Sequence, residues 1–474
     1  MLFNSLVFFI FFILFFSVWQ WAKQRDTSRW ICIIFFSFVF YGWWDWRFLL
    51  LILFSGLVDF GAAKYMHKKP AQRTLLLWLS IFGNLGGLSI FKYSAFFAGL
   101  IDASFAAFGW PSNCIESLPE WSLVVPVGIS FYTFQSMSYT IDVYRSNLKP
   151  VKSVLHFFAY LSMFPQLVAG PIVRAKDMLR QLAENRRQTS LGYWLGFKLI
   201  VYGFFQKMVL ADNLAVVVNK AFWEIDTQPS ALFWWMVILA FSFQIYFDFA
   251  GYSSIARGLA KWMGYRFKSN FKHPYHACSL KNFWERWHIS LSTWFRDYVY
   301  IPLGGNRLSK WSWYRNMWIT MILSGLWHGP AFHFVVWGAL HAVFLSFERI
   351  SQFPRRLSRG ALGKLLVYLI VMLQVLVAWV FFRAQDMEQA LTILGRMFST
   401  NGVGNDLLFS QYFDTIIYLF IAVAVESWYF IKQRSPRLKS YTRMFWYECL
   451  SMAFLIALSV YFRGPTAEFI YFQF

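Results

Sequence analysis

A chain of 474 residues that is 58% hydrophobic and 22% aromatic, with 56 phenylalanines, carries more apolar surface than a water-soluble fold of that size can bury, so lipid has to solvate most of it. Its net charge of +21 would suit nucleic acid, but the basic residues sit in short loops between apolar runs, as positive-inside topology places them, which argues against a nucleic-acid partner. Cys32, Cys114, Cys278 and Cys449 fall in unrelated segments without C-x-x-C spacing and give neither a disulfide framework nor a zinc site.

Residues 1–21 are too long an apolar run for a signal peptide and lack a small-residue cleavage site, so they are expected to remain as a first span. Lys23, Arg25 and Arg29 follow at once and assign that loop to the cytoplasm and the N-terminus to the outside. Spans at residues 30–44 and 48–63 return the chain to Lys64, Lys68, Lys69 and Arg73. A span at 75–100 then leads to an outer loop with Asp102, Glu116 and Glu120. The chain re-enters through Pro126-Val127-Gly128, a break that membrane helices tolerate only where the freed backbone groups find partners, and emerges at Arg145, Lys149 and Lys152. The apolar run 154–173 has basic residues on both flanks, so it is expected to be re-entrant, turning at Pro165 and Gly170-Pro171. Crossings at 191–210 and 231–250 follow, joined by an outer loop with Asp212, Glu224 and Asp226.

The basic, aromatic segment 261–286 is expected in the cytoplasm, where it can attract an anionic partner or pair with the phosphates of membrane lipid. Residues 316–345 are apolar and flanked by basic residues at both ends. At about 1.5 Å per residue a straight helix of that length overshoots a core about 30 Å thick, whereas a hairpin turning at Gly329-Pro330 fits and puts His328 at its tip. A span at 365–382 leads to an outer loop with Asp386, Glu388 and Asp406. A return span at 415–431 meets Lys432, Arg434, Arg437, Lys439 and Arg443, and a last span at 445–461 leaves residues 463–474 outside. The expected fold is all-α and polytopic, one membrane-embedded domain over 1–474 with about ten crossings plus two re-entrant elements.

An ionisable group inside lipid-soluble sequence is costly, which makes His328 a candidate for function. Glu285, His288 and Ser292 recur at three- and four-residue spacing, the pattern of one face of an amphipathic helix. Gln244 and Asp248 lie one turn apart in an apolar span, where polar residues either join helices or line a cavity, and lining is the favoured expectation. His273, His276 and Cys278 form an H-x-x-H-x-C cluster without a fourth ligand, so no metal is expected. The tail Phe469-Ile470-Tyr471-Phe472-Gln473-Phe474 is too apolar to stand in water and is expected to insert into something.

Trp287-His288, followed 40 residues later (328 minus 288) by Trp327-His328-Gly329, resembles the paired histidines of the membrane-bound O-acyltransferases, in particular the bacterial branch of the alginate O-acetylation membrane subunit. Pro126 to Phe134, Ile141-Asp142-Val143-Tyr144-Arg145, Phe164 to Pro171 and Gln244 to Tyr252 match in order, so the resemblance covers nearly the whole chain. It implies helices around a central catalytic tunnel, with His328 as general base and His288 in a positioning or polarising role. Trp327, Asn282, Trp287, Ser292, Gln244 and Asp248 are its expected lining. The tail resembles an F-x-Y-x-x-F ending in which Tyr471 ferries the acyl group and Phe469 and Phe474 anchor it. The implied function is O-acetyl transfer from cytoplasmic acetyl-CoA, with no permanently bound cofactor, towards an envelope or exported polysaccharide of the alginate, cellulose or peptidoglycan type. The implied setting is the bacterial inner membrane, with both termini outside and an extracytoplasmic serine-esterase-like (SGNH-type) acetyltransferase as partner. A long-chain acyltransferase for a lipid or protein, and a transporter or flippase, remain as alternatives; paired broken helices in equivalent halves, which mark transporters, are not evident.

Overall fold

The computed structural model describes residues 1–167, 170–184, 188–225, 230–399, 412–436, 438 and 445–472. Helices make up most of it, with no strand among the described residues. Seven helical stretches among these residues are long and apolar enough to cross a membrane, and Leu6–Ala22 and Phe445–Tyr461 are shorter apolar helices. The first of the seven, Asp26–Lys68, is split by a 3-10 turn at Trp46–Phe48 into two helices of 20 residues. At about 1.5 Å per residue each matches one crossing of a core about 30 Å thick. Phe9, Phe35, Phe82, Leu369, Phe420 and Phe454 are exposed on helix surfaces, as lipid-facing side chains should be.

The chain divides into two compact units, Met1–Phe197 with Ala256–Lys268, and Lys198–Ile255 with Ser269–Phe474. In the first unit the break at Pro126-Val127-Gly128 has its partners: Gly128, at φ +74°, opens the Ile129–Tyr144 helix, and the Tyr41 hydroxyl donates to the Val127 carbonyl at 2.8 Å. The run 154–173 folds as the short helices Val154–Leu161 and Phe164–Leu167, with every side chain from Phe157 to Leu167 buried; residues 168 and 169 lie outside the described ones. Arg29, expected in a loop, is instead buried in the first turn of Asp26–Asp45, bonded to Asp26 at 2.5 Å and to the Leu182 carbonyl at 2.9 Å.

In the second unit the expected outer loop after residue 210 begins later than the sequence suggests. The helix Ser190–Phe204 passes through a π turn, Phe205–Ala211, into Asp212–Trp223, and Asp212 is a buried ion-pair partner of Lys207 rather than a loop residue. Asp226, Asp406, Arg437, Lys439 and Arg443 lie outside the described residues. The hairpin is present: Lys310–His328 and Phe332–Ser351 pack side by side, and a side chain at Gly325 or Gly338 would collide with the backbone carbonyl of Phe334 or Met321 on the other arm. Gly360–Arg383, Met387–Met397, Phe413–Arg434 and Phe445–Tyr461 complete the unit.

Candidate active site

The hairpin tip sets His328 among rings. It is 4% exposed, with ring centres at 4.9 Å from Trp327, 5.1 Å from Trp337 and 5.0 Å from Phe382. Glycine at 329 is required by the tight turn, because a side chain there would overlap the Phe334 ring.

His288 does not sit on a continuous amphipathic helix. The helix Leu280–Trp284 ends, and His288 precedes Ile289–Phe295 in a left-handed conformation at φ +40°. Such a conformation costs a non-glycine residue about 1–3 kcal/mol and persists only where surrounding contacts hold it. Asn270 supplies them: its backbone carbonyl accepts from the Ile289 N–H at 2.9 Å, and its Oδ1 accepts from the Ser290 N–H at 3.1 Å and the Ser290 hydroxyl at 2.8 Å. The same Oδ1 lies 3.3 Å from His288 Nδ1. A carbonyl oxygen only accepts, so Nδ1 carries the proton and Nε2 of the neutral ring presents its lone pair. Burial pushes the imidazole down to about 3, which keeps it neutral at physiological pH. Glu285 is therefore left on the exposed side, and Ser292 donates to the Trp287 carbonyl at 3.1 Å.

The tail reaches both histidines. Tyr471 lies with its ring centre 5.6 Å from His328, 6.3 Å from His288 and 4.7 Å from Phe249. Its hydroxyl oxygen is buried and makes no hydrogen bond among the described residues. Burial, with the Asp248 carboxylate nearby, raises the phenol above its ordinary value, so it stays protonated and needs a base to react. Phe469 is fully buried, packed on Tyr252 at 4.6 Å and Phe249 at 5.5 Å, whereas Phe474 lies outside the described residues.

The other expected lining residues are dispersed. Trp327 stands between the histidines, its ring 6.0 Å from His288. Trp287 is core, among Phe271, Phe283 and Trp379. Asn282 is occupied by Arg286 and Glu285, at 2.9 and 3.2 Å. Gln244 is buried, and Asp248, one turn on, pairs with Lys207 at 2.8 Å and accepts from the Ile470 N–H at 2.7 Å. Ser292 borders a cavity of about 410 Å³ that Ile289, Trp284, Lys281, Arg296 and Ser324 also line. In the H-x-x-H-x-C cluster, His273 lies 3.1 Å from Glu426 and His276 stacks on Phe430, and no group of three metal-ligating side chains occurs among the described residues. Sequence spacing does not single out Asn270. Lys207, a cation in an apolar run, carried the same signal as Asp248.

The profile of the membrane-bound O-acyltransferase family matches residues 7–387. The chain is a membrane-bound O-acyltransferase. This acyltransferase is 39% identical over 411 residues to the probable alginate O-acetylase AlgI of Pseudomonas putida, covering 84% of this chain and 80% of the relative. It is 32% identical to a peptidoglycan O-acetyltransferase of Helicobacter pylori, over 97% of this chain and 94% of the relative. A teichoic acid D-alanyltransferase of Bacillus subtilis is 30% identical over 50% of the chain and 62% of its own length. The family match takes in both histidine segments and ends at residue 387, so the tail that meets them lies beyond it.

Proposed function

We propose that the acyltransferase moves acetyl groups from cytoplasmic acetyl-CoA to the outer face of the inner membrane for O-acetylation of an envelope polysaccharide. The observation that carries this reading is the meeting of Tyr471 with His328 and His288 in one buried cluster. Two relatives named for O-acetylation, one of alginate and one of peptidoglycan, support acetyl as the group and polysaccharide as the acceptor class.

Acetyl-CoA is large and anionic and cannot cross the bilayer, so an acyl carrier has to bridge the two sides. In the proposed reaction the Tyr471 oxygen attacks the thioester carbonyl while His328 takes the phenolic proton. The carbon–sulfur bond breaks and the proton passes to the departing CoA thiolate. The aryl ester is a better acetyl donor than a sugar ester because a phenol leaves more readily than an alcohol. An extracytoplasmic serine-esterase-like (SGNH-type) partner then accepts the acetyl group on its serine oxygen, and the proton that this hydroxyl loses passes to the departing phenolate of Tyr471. The cavity beside Ser292 is of ligand size, and its walls carry Lys281, Arg296 and Glu285.

A second assignment of the base has its own observation. The Asn270 bond leaves His288 Nε2 as an acceptor, the tautomer a general base requires. Either assignment requires the tyrosine. In cells lacking the chromosomal copy, Tyr471→Phe, which keeps the aromatic packing and removes one oxygen, is expected to abolish ester-linked acetyl on the polysaccharide. Wild-type acetylation in that variant would reduce the tail to a plug. For orientation, a cysteine at Thr466 is expected to react with an impermeant thiol reagent in intact cells and one at Arg434 to resist it; the reverse pattern would invert the topology.

A further inference from the structure

Lys207 and Asp248 are brought together by a close helix crossing. A side chain at Gly203 would collide with the Gly251 carbonyl, and one at Gly251 with the Gly203 carbonyl. Lys207 lies one turn beyond Gly203, in the π turn Phe205–Ala211, and Asp248 one turn before Gly251. The ammonium of Lys207 donates to the Ala467 carbonyl at 3.0 Å and forms ion pairs with Asp212 Oδ1 at 2.8 Å and Asp248 Oδ1 at 2.8 Å. The second oxygen of Asp248 accepts from the Ile470 N–H at 2.7 Å. Two more bonds hold the stretch leading there, Gly464 N–H to the Met208 carbonyl at 2.8 Å and Asn213 Nδ2 to the Phe462 carbonyl at 2.9 Å. Gly464 is pressed against Asp212 and Asn213 with no room for a side chain.

Every one of these anchors grips the tail by its backbone, at residues 462, 464, 467 and 470, and the next residue is Tyr471. Bonding to the main chain fixes the register of an extended segment whatever its side chains, and a slip of one residue would turn the next side chain away. Lys207, Asp212 and Asp248 are 2% exposed, and a buried charge group of this kind is costly unless each member is bonded. Here the bonds extend beyond the group itself to the tail.

We infer that Lys207, held between Asp212 and Asp248, is a positioning residue for acyl transfer: the three form a clamp that fixes the tail in the one register that delivers Tyr471 to the two histidines. This rests on the relay reading of Tyr471, and the experiment separates the two. Hydrogen exchange of full-length protein in nanodiscs is measured by mass spectrometry alongside acetyl transfer from acetyl-CoA in cells. Lys207→Met is expected to raise exchange of the 464–472 amides at least tenfold and to cut transfer at least a hundredfold, with amides of Ser190–Trp223 and Ala231–Trp262 exchanging as in wild type. If those helices open as well, Gly464→Val tests the clamp from the tail side. It drives a side chain into Asp212 and Asn213 without altering a buried charge, and must show the same tail-only release with the same loss of transfer. Wild-type tail protection and transfer in Lys207→Met, or in Gly464→Val where that arm is needed, overturns the clamp. Tyr471→Phe is expected to keep tail protection and lose transfer; if it transfers normally while Lys207→Met releases the tail, the relay reading falls and the docking role stands.

Discussion

Asp59 and Asp248 are both buried carboxylates on long apolar helices, and they are satisfied in opposite ways. Asp59, in the first unit, accepts from the Asn84 amide at 3.0 Å through each oxygen and from the Ser80 hydroxyl, while Ser55 donates to Asn84 at 2.5 Å. Neutral side chains of neighbouring helices close that cluster on itself, the arrangement that joins helices in a membrane. Asp248, in the second unit, meets a lysine and turns its other oxygen to the backbone of Ile470, next to the proposed relay Tyr471. A buried ionisable residue is thus a marker of function only when its bonds lead to the chemistry; burial and cost alone do not separate the two.

The largest effect that sharpens this contrast belongs to the second unit. His328→Ala is expected to lower acetyl transfer by about 10²- to 10⁴-fold, the usual loss for a positioned base. Membrane insertion and thermal stability should be close to wild type, since the site is assembled by rings and backbone bonds that remain. Polysaccharide acetylation at the wild-type level would remove His328 from the reaction. Next in size is Asn270. Asn270→Ala frees the strained backbone at His288 and unfixes its tautomer, so transfer should fall by about tenfold or more. His288→Ala should fall at least as far. If Asn270→Ala leaves transfer unchanged while His288→Ala is inactive, the clasp is structural and the tautomer is set elsewhere.

The smallest effect should lie in the first unit. Asp59→Asn preserves shape and keeps an acceptor for Ser80, so transfer should stay within about twofold, with a loss of stability on the order of 0.5–1.5 kcal/mol from weakened interhelical bonds. Thermal unfolding in detergent reads the second and cellular acetylation the first. A Asp59→Asn variant that folds normally but does not transfer acetyl would erase the distinction between the clusters.

Much of this was legible in residue order. The Gly329-Pro330 break and the excess length of 316–345 announced the hairpin and its histidine, and the apolarity of the tail announced its insertion. What escaped were partners distant in sequence. The three- and four-residue spacing of Glu285, His288 and Ser292 implies one helix face only if the helix is continuous, and Asn270 pulls the backbone out of it. Asp212 reads as the start of a loop until Lys207, in the same helix, is seen to bury it. Lys207 in turn makes sense only beside a helix crossing set by two glycines and a tail from the far end of the sequence. Local periodicity reports which face is apolar; it does not report which distant group will occupy it.

If Tyr471 carries the acetyl group, an acetyl ester forms on its phenolic oxygen and can be detected there. Purified full-length protein incubated with acetyl-CoA in the absence of any acceptor, quenched in acid and digested, should yield the peptide containing Tyr471 with an acetyl ester on the phenol. That ester should be absent in Tyr471→Phe and strongly reduced in His328→Ala. Transfer of acetyl to an added partner by a wild-type protein that never bears acetyl on Tyr471, with Tyr471→Phe equally active, would show that Tyr471 is not the relay.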